Sequence, residues 1–258
     1  RYDLRQAIVV RVPERVDRGL DAAGVKAHVR RAVGYFAAPP VAQLIGPATA
    51  LGLAGGRTLA ELVGYLAPGS GKPPAAGLTV LPLMGNIGPT ASDIDAADLS
   101  RRVARTFGGA GYTLNAPAIA QDGAARDHFL AHEHIRTVRQ LFDSLTLALV
   151  GVGSLDESAF IERGILTNAE LAALRAAGAV GEICGRFFDA AGRECRSGYR
   201  ERVIGIELET LRQATQKGAD VLVVTNGSAR SPALRAAVAG GLVNGLVIDD
   251  AGARALLT

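Results

Sequence analysis

Tryptophan is absent from this chain, methionine occurs once, and aromatic residues make up only 5% of it. So few rings leave no stacking platform for single-stranded nucleic acid. Cysteine is nearly absent as well. Cys184 and Cys195 are too few for a secreted disulfide framework, and they lack zinc-type spacing. Lysine is scarce, since Lys26, Lys72 and Lys217 are the only ones among 28 basic residues. Net charge is +3 over 258 residues with a pI near 9.1, too small an excess to argue for nucleic-acid binding by this segment. No apolar run reaches membrane-spanning length, so no membrane partner is expected. The N-terminus, Arg1-Tyr-Asp-Leu-Arg-Gln6, has no initiator Met and no apolar signal region, and the expectation is a cytoplasmic fragment of a longer protein.

What remains is the composition of a folded core: 48% hydrophobic and 21% charged residues. The chain is long enough for one large α/β domain. Gln6–Val12 reads as a first strand and Val25–Ala38 as an amphipathic helix that Pro39-Pro40 should end. A short buried strand before Gly55-Gly56, Leu78–Met84 and Leu145–Val152 read as buried strands, each running into a glycine-bearing turn. Helices are predicted at Asp95–Phe107, across Asp122–Phe142, and after the capping box Thr167-Asn-Ala-Glu170. Val180–Asp189 is strand-like with a hairpin turn at Ala190–Gly192. Strands at Val203–Ile206, Val221–Thr225 and Leu242–Ile248 alternate with helices at Leu208–Lys217, Pro232–Ala239 and Asp250–Leu257. Such alternation predicts a mostly parallel sheet covered on both faces, an α/β domain spanning 1–258. In such sheets ligands lie at the carboxyl ends of the strands. That rule gathers Gly55–Thr58, Gly85–Gly88, Gly153–Asp156 and Asn226–Arg230 on one rim.

The stretch Thr49-Ala-Leu-Gly-Leu-Ala-Gly-Gly-Arg57-Thr58 is the strongest local signal. Its glycine turn exposes backbone N–H groups, the helix opening at Thr58 carries partial positive charge, and Arg57 adds a planar fork of donors. Together they predict an anion cradle, most naturally for phosphate. Two other nucleotide-like signals fail. Gly71-Lys72 resembles a P-loop, but Leu66 stands where its first Gly belongs and Pro73 replaces the Ser or Thr that holds magnesium. Gly151-Val-Gly153-Ser-Leu-Asp156 lacks the third Gly of a dinucleotide fingerprint, and Asp156 would repel a pyrophosphate. Its Ser and Asp are better read as meeting a neutral polar ligand or capping a helix. His128, His132 and His134 beside Asp127 and Glu133 miss the order of a zinc-peptidase helix and read as a solvated surface; no metal is expected. Glu182 interrupts an apolar stretch and must be paired or hydrogen-bonded. Either it pairs with Arg186, or it accepts hydrogen bonds from sugar hydroxyls. Arg230, just past a strand end, is a candidate second cation.

Several blocks occur in one family order over nearly the whole chain. They are Leu53-Ala-Gly-Gly-Arg-Thr-Leu59, Leu81-Pro-Leu-Met-Gly85, Leu114-Asn-Ala-Pro-Ala118, Leu149–Asp156, Ala177–Asp189, Arg202–Ile206 and Gly240–Asp249. In these the chain resembles the sugar-binding (effector) domain of SorC/DeoR-type bacterial transcriptional regulators. The resemblance implies a three-layer α/β/α fold related to glucosamine-6-phosphate deaminase and ribose-5-phosphate isomerase. It implies a sensor of a sugar or phosphosugar, not an enzyme, with no cofactor and no catalytic residues. Some members hold their ligand through a lysine Schiff base, but none of Lys26, Lys72 and Lys217 lies in a rim segment of the sequence, so reversible, noncovalent binding is expected. Operator DNA would be contacted by a helix-turn-helix that this segment lacks, and the assembly would be a homodimer or homotetramer. Gly55, Gly56, Arg57 and Thr58 match the family's phosphate cradle, and Arg230 takes its second cationic position. Glu182 matches the acidic position that meets sugar hydroxyls, and Gly85, Asn86, Gly153, Asp156 and Arg186 complete the expected effector site. Asn86 stands where many members have Gly. The alternative is an isomerase or deaminase with Glu182 and Asp189 as acid–base pair.

Overall fold

A computed structural model describes residues 2, 4–12, 20–68, 77–90 and 92–258. The P-loop-like Gly71-Lys72 lies outside them.

The centre is a seven-stranded sheet in which every pairing is parallel. Its strands, with the helices between them, follow the chain as β1 (Gln6–Val10), α1 (Ala22–Ile45), β2 (Ala50–Leu53), α2 (Arg57–Tyr65), β3 (Thr79–Pro82), α3 (Ala96–Phe107) and β4 (Ala110–Gly111). There follow α4 (Gly123–Ala131), α5 (Glu133–Gln140), β5 (Leu147–Val150), α6 (Ala159–Glu162) and α7 (Asn168–Ala176). A two-stranded hairpin, β6 (Ala179–Ile183) and β7 (Arg186–Asp189), stands apart from the main sheet. The chain closes with α8 (Leu208–Gln216), β8 (Asp220–Val224), α9 (Ser231–Ala239), β9 (Gly245–Asp249) and α10 (Asp250–Leu257).

The spatial order β1-β9-β8-β5-β2-β3-β4 explains the layers. From β2 the chain winds outward through β3 to β4; from β5 it winds the other way through β8 to β9. Right-handed crossovers then put α1, α2 and α3 on one face and the later helices on the other. The contacts agree: α1 packs on α2 and α2 on α3, while α10 packs on α9. Fully buried β2, β5 and β9, apolar on both faces, are the consequence of that double cover. Between β2 and β5 the winding reverses, which opens a crevice at the strand ends.

Several local expectations need correcting. Pro39 and Pro40 do not end α1, which runs on to Ile45. The carbonyls they leave without N–H donors belong to Tyr35 and Phe36, which are exposed, while Ala37, Ala38, Val41, Ala42 and Ile45 stay buried on the same helix. Docking on both sides of the pair outweighs the lost hydrogen bonds. The stretch Val180–Asp189 is not one strand. It folds back at Cys184-Gly185, whose φ angles are 52° and 81°, and Ala190–Gly192 is a second, later turn. The helical region predicted over Asp122–Phe142 is divided at His132, where ψ is 130°. Val203–Ile206 forms only isolated bridges, Ile119 with Val203 and Met84 with Gly205. The capping box at Thr167 and Glu170 is present, and α10 has the predicted bounds.

Candidate functional site

A cavity of about 550 Å³ opens at the carboxyl ends of β2, β3, β5 and β8, where the strand winding reverses. That volume lies within the range of small-molecule sites. Most of its wall is built from turns that follow strands, and α1 and the β6–β7 hairpin supply the rest.

The turn after β2 supplies Gly55, Gly56, Arg57 and Thr58. Gly56 is the N-cap of α2 with φ 140°, a conformation L side chains rarely adopt, and no side chain caps the helix there. The first-turn N–H groups therefore face the cavity with the positive end of α2 behind them. Thr58 donates its hydroxyl to the side-chain Oδ1 of Asn226 at 3.0 Å, tying this turn to the one after β8. Gly85 lines the floor after β3, and Gly153 the side after β5. At Gly153 a Cβ would stand 2.7 Å from a Glu182 carboxylate oxygen, so only glycine lets the hairpin close on this strand end.

Glu182 is buried and reaches the cavity from β6. One carboxylate oxygen accepts the N–H of Gly185, presented by the tight Cys184-Gly185 turn. Burial pushes its carboxyl up to about 7, opposed by that hydrogen bond and by the charge of Arg230. Cys184 also lines the cavity, and burial raises its thiol far out of the reactive range.

The cations are more numerous than the sequence reading anticipated. Arg57 and Arg230 are joined by Lys26 and Arg30 from α1 and by Arg163 from beyond α6. Arg30 and Arg230 each bury a guanidinium Nε that has no hydrogen-bond partner among the described residues. Desolvation lowers the pKa of both, and nearby Arg57 lowers each further. An acceptor from a ligand would relieve both groups. Four carboxylates also line the cavity: Asp95, Glu157, Glu162 and Glu182. Glu157 holds Lys26 at 2.7 Å and Arg230 at 3.1 Å, and Glu162 holds Arg57 at 2.7 Å. None of Lys26, Arg30, Arg163, Glu157 or Glu162 stood in a motif. Their one readable signal was position: the post-β5 residues follow a strand end, whereas Lys26 and Arg30 arrive only because α1 packs over the β2 crevice.

Three expected site residues are placed elsewhere. Asn86 is exposed, its backbone pairing with Pro117. Asp156 points into solvent and pairs with Arg175 at 2.8 Å, while the Ser154 hydroxyl accepts the N–H groups that shape its turn. Arg186 lies on the far side of the hairpin, pairing with Glu194 and Glu207 and donating to the Ile206 carbonyl. The Glu182–Arg186 salt bridge therefore does not form. Asp189 accepts from the backbone of Ala191 and Arg193 outside the cavity, so it does not partner Glu182 there. Among the described residues no group of three side chains is arranged to hold a metal ion, and His128 and His132 stack edge to face on the surface. Among the described residues no helix is long and apolar enough to cross a membrane.

Comparison with known proteins places this cavity in context. The whole chain, residues 1–258, matches the family described as "Putative sugar-binding domain". It is 29% identical over its full length to the uncharacterized transcriptional regulator YjhU of Escherichia coli, covering 75% of that protein. It is 28% identical to the deoxyribonucleoside regulator of Bacillus subtilis, covering all of this chain and 77% of that protein. Among solved structures it superposes on the full-length sorbitol operon regulator SorC of Klebsiella pneumoniae with a TM-score of 0.85 at 25% identity, over 100% of this chain and 78% of that one. These proteins are named as regulators of transcription, which does not favour the isomerase or deaminase alternative. By its fold, its strand-end cavity and the full-length family match, the chain belongs to the sugar-binding domain family of SorC/DeoR-type transcriptional regulators, a ligand-sensing domain.

Proposed function

We propose that this domain reversibly binds a phosphorylated sugar, with the phosphate at the start of α2 and the sugar hydroxyls toward Glu182. What carries the reading is the meeting of that uncapped helix start with Arg57, Arg30 and Arg230, two of which bury unpaired guanidinium nitrogens. Charge-assisted hydrogen bonds are worth roughly 1.5–3 kcal/mol each, so the phosphate would dominate affinity. Glu182, with one oxygen engaged by Gly185, keeps the other for a hydroxyl. Noncovalent binding fits Lys26, which lines the cavity but is already ion-paired with Glu157 at 2.7 Å.

The related regulators are named for deoxyribonucleosides, sorbitol and erythritol, small polyhydroxy compounds or their derivatives. Carried to this chain, they support a sugar-class effector. Occupancy would be reported to operator DNA through a separate helix-turn-helix, in a homodimer or homotetramer inside the cytoplasm. The test is a thermal-shift panel that pairs each sugar phosphate with its unphosphorylated parent. At least one phosphate should stabilise the domain by several degrees and its parent by far less. Stabilisation by parents and polyols alone would refute the phosphate.

A further inference from the structure

The two carboxylates that occupy the cavity's cations come from one short stretch of chain. Glu157 and Glu162 both follow β5, whereas Lys26, Arg57 and Arg230 come from three separate elements. The next residue, Arg163, reaches toward α3, donating to the Asp95 carboxylate at 3.0 Å and the Ile87 carbonyl at 2.7 Å. Residues 157–163 therefore run along the cavity as a strap, clasped by charge at both ends. Phe160 pins its middle: the ring is buried, and a Cβ on Gly185 would stand 2.8 Å from it.

The clasps are weak in the direction that matters. Glu162 and Arg57 keep 40% and 48% of their side chains exposed, and Glu157 keeps 28%. Ion pairs so open to water contribute little. A phosphate brings more charge and three strong acceptors, and it can meet the buried Arg230 Nε that Glu157 leaves unpaired. It cannot share Arg57 and Arg230 with two carboxylates at close range without like-charge repulsion. A neutral sugar has no such competition to make.

We propose that Glu157 and Glu162 are built-in counter-anions for which a bound phosphate exchanges, so that an anionic ligand, but not a neutral one, frees the 157–163 strap. The strap then converts the charge of the ligand into a change of chain order beside the Glu182 hairpin. This rests on the phosphate reading above and adds the residues that register it.

Hydrogen exchange on the whole chain tests it, with inorganic phosphate compared against chloride at matched ionic strength. Phosphate should slow exchange at 57–59 and speed it at 162–164, where the N–H groups of Glu162 and Gly164 close the strap's own turns. It should also expose the Arg163 bond to trypsin, a readout that needs no variant. The double variant Glu157→Gln with Glu162→Gln should exchange fast at 162–164 without phosphate and bind phosphate about three- to tenfold more tightly, the size set by freeing three part-exposed pairs. Unchanged or slowed exchange at 162–164, alongside protection at 57–59, would overturn the strap and leave the phosphate site standing. No protection at 57–59 in either protein would overturn both.

Discussion

The buried Arg186 and the half-buried Arg230 sit on opposite sides of the β6–β7 hairpin and live differently. Arg186 has every part of its guanidinium engaged: Nε on the Ile206 carbonyl at 2.9 Å, and the two terminal nitrogens on Glu194 and Glu207 at 2.8 and 2.7 Å. Arg230 meets Glu157 at 3.1 Å and the Asn226 carbonyl at 3.4 Å, and its Nε is buried without a partner. The first is a cation whose cost of burial is met by the fold. The second is a cation whose fold leaves it under-supplied, beside a cavity that can admit an anion. A buried charge with complete partners belongs to stability; one with incomplete partners belongs to binding.

The largest expected effect breaks this contrast directly. Arg186→Met leaves Glu194 and Glu207 near the hairpin without their shared cation, although Arg200 and Arg139 partly compensate. It should cost about 3 kcal/mol in urea unfolding, the low end for breaking a buried pair. Phosphate affinity of the remaining folded protein should barely change. Arg230→Met should do the reverse. Glu157 keeps Lys26, so stability should move by less than about 1 kcal/mol while phosphate affinity falls by roughly ten- to a hundredfold. Equal effects of the two variants on stability and binding would dissolve the distinction.

A second test uses the pH dependence of Glu182. Its carboxyl is raised from 4.5 to about 7, so between those values the folded chain binds the proton that the unfolded chain has released. Stability contributed by this group is then full at low pH and is lost as pH rises toward 7. The span corresponds to about 3 kcal/mol at most. The lowered carboxyls Glu157, Glu170, Asp189 and Asp250 act in the opposite sense and only below the ordinary carboxylate range, so they do not confuse this window. Denaturation midpoints measured from pH 5 to 8 should fall, and Glu182→Gln should flatten the curve. Arg230→Met, by removing the nearest favourable charge, should steepen it. A flat curve for the parent protein would mean that Glu182 stays ionised.

How much of this was legible follows from which signals are local. The glycine turn before α2, the capping box at Thr167 and the buried run of β5 are each encoded within a few residues and were readable. The common rim was readable too, because parallel α/β topology sends every strand end to the same side. Lys26 and Arg30 were not. They lie on a helix between the edge strand β1 and the central strand β2, and only the long crossing over the sheet brings them to the cavity. Spacing left Glu182 either paired with Arg186 or free for a ligand, and the turn at Cys184-Gly185 sends the two residues to different neighbours. Pro39 and Pro40 misled for a related reason: local backbone preference yielded to the burial of α1 on both sides.

The smallest expected effect is also the most specific. Arg57 is half exposed and already holds Glu162, so part of what a phosphate gains from it is what Glu162 gives up. Arg57→Ala should therefore weaken a sugar phosphate only about three- to tenfold, less than the loss at Arg230. Affinity for the unphosphorylated parent should stay within about twofold, since a neutral sugar has no charge to present to a guanidinium. Stability should hardly change, the pair being open to water. Titration calorimetry on the pair of ligands separates the outcomes. A loss confined to the phosphorylated compound places Arg57 on the phosphate with α2. An equal loss for both would mean that Arg57 shapes the sugar pocket and that the start of α2 serves the fold alone.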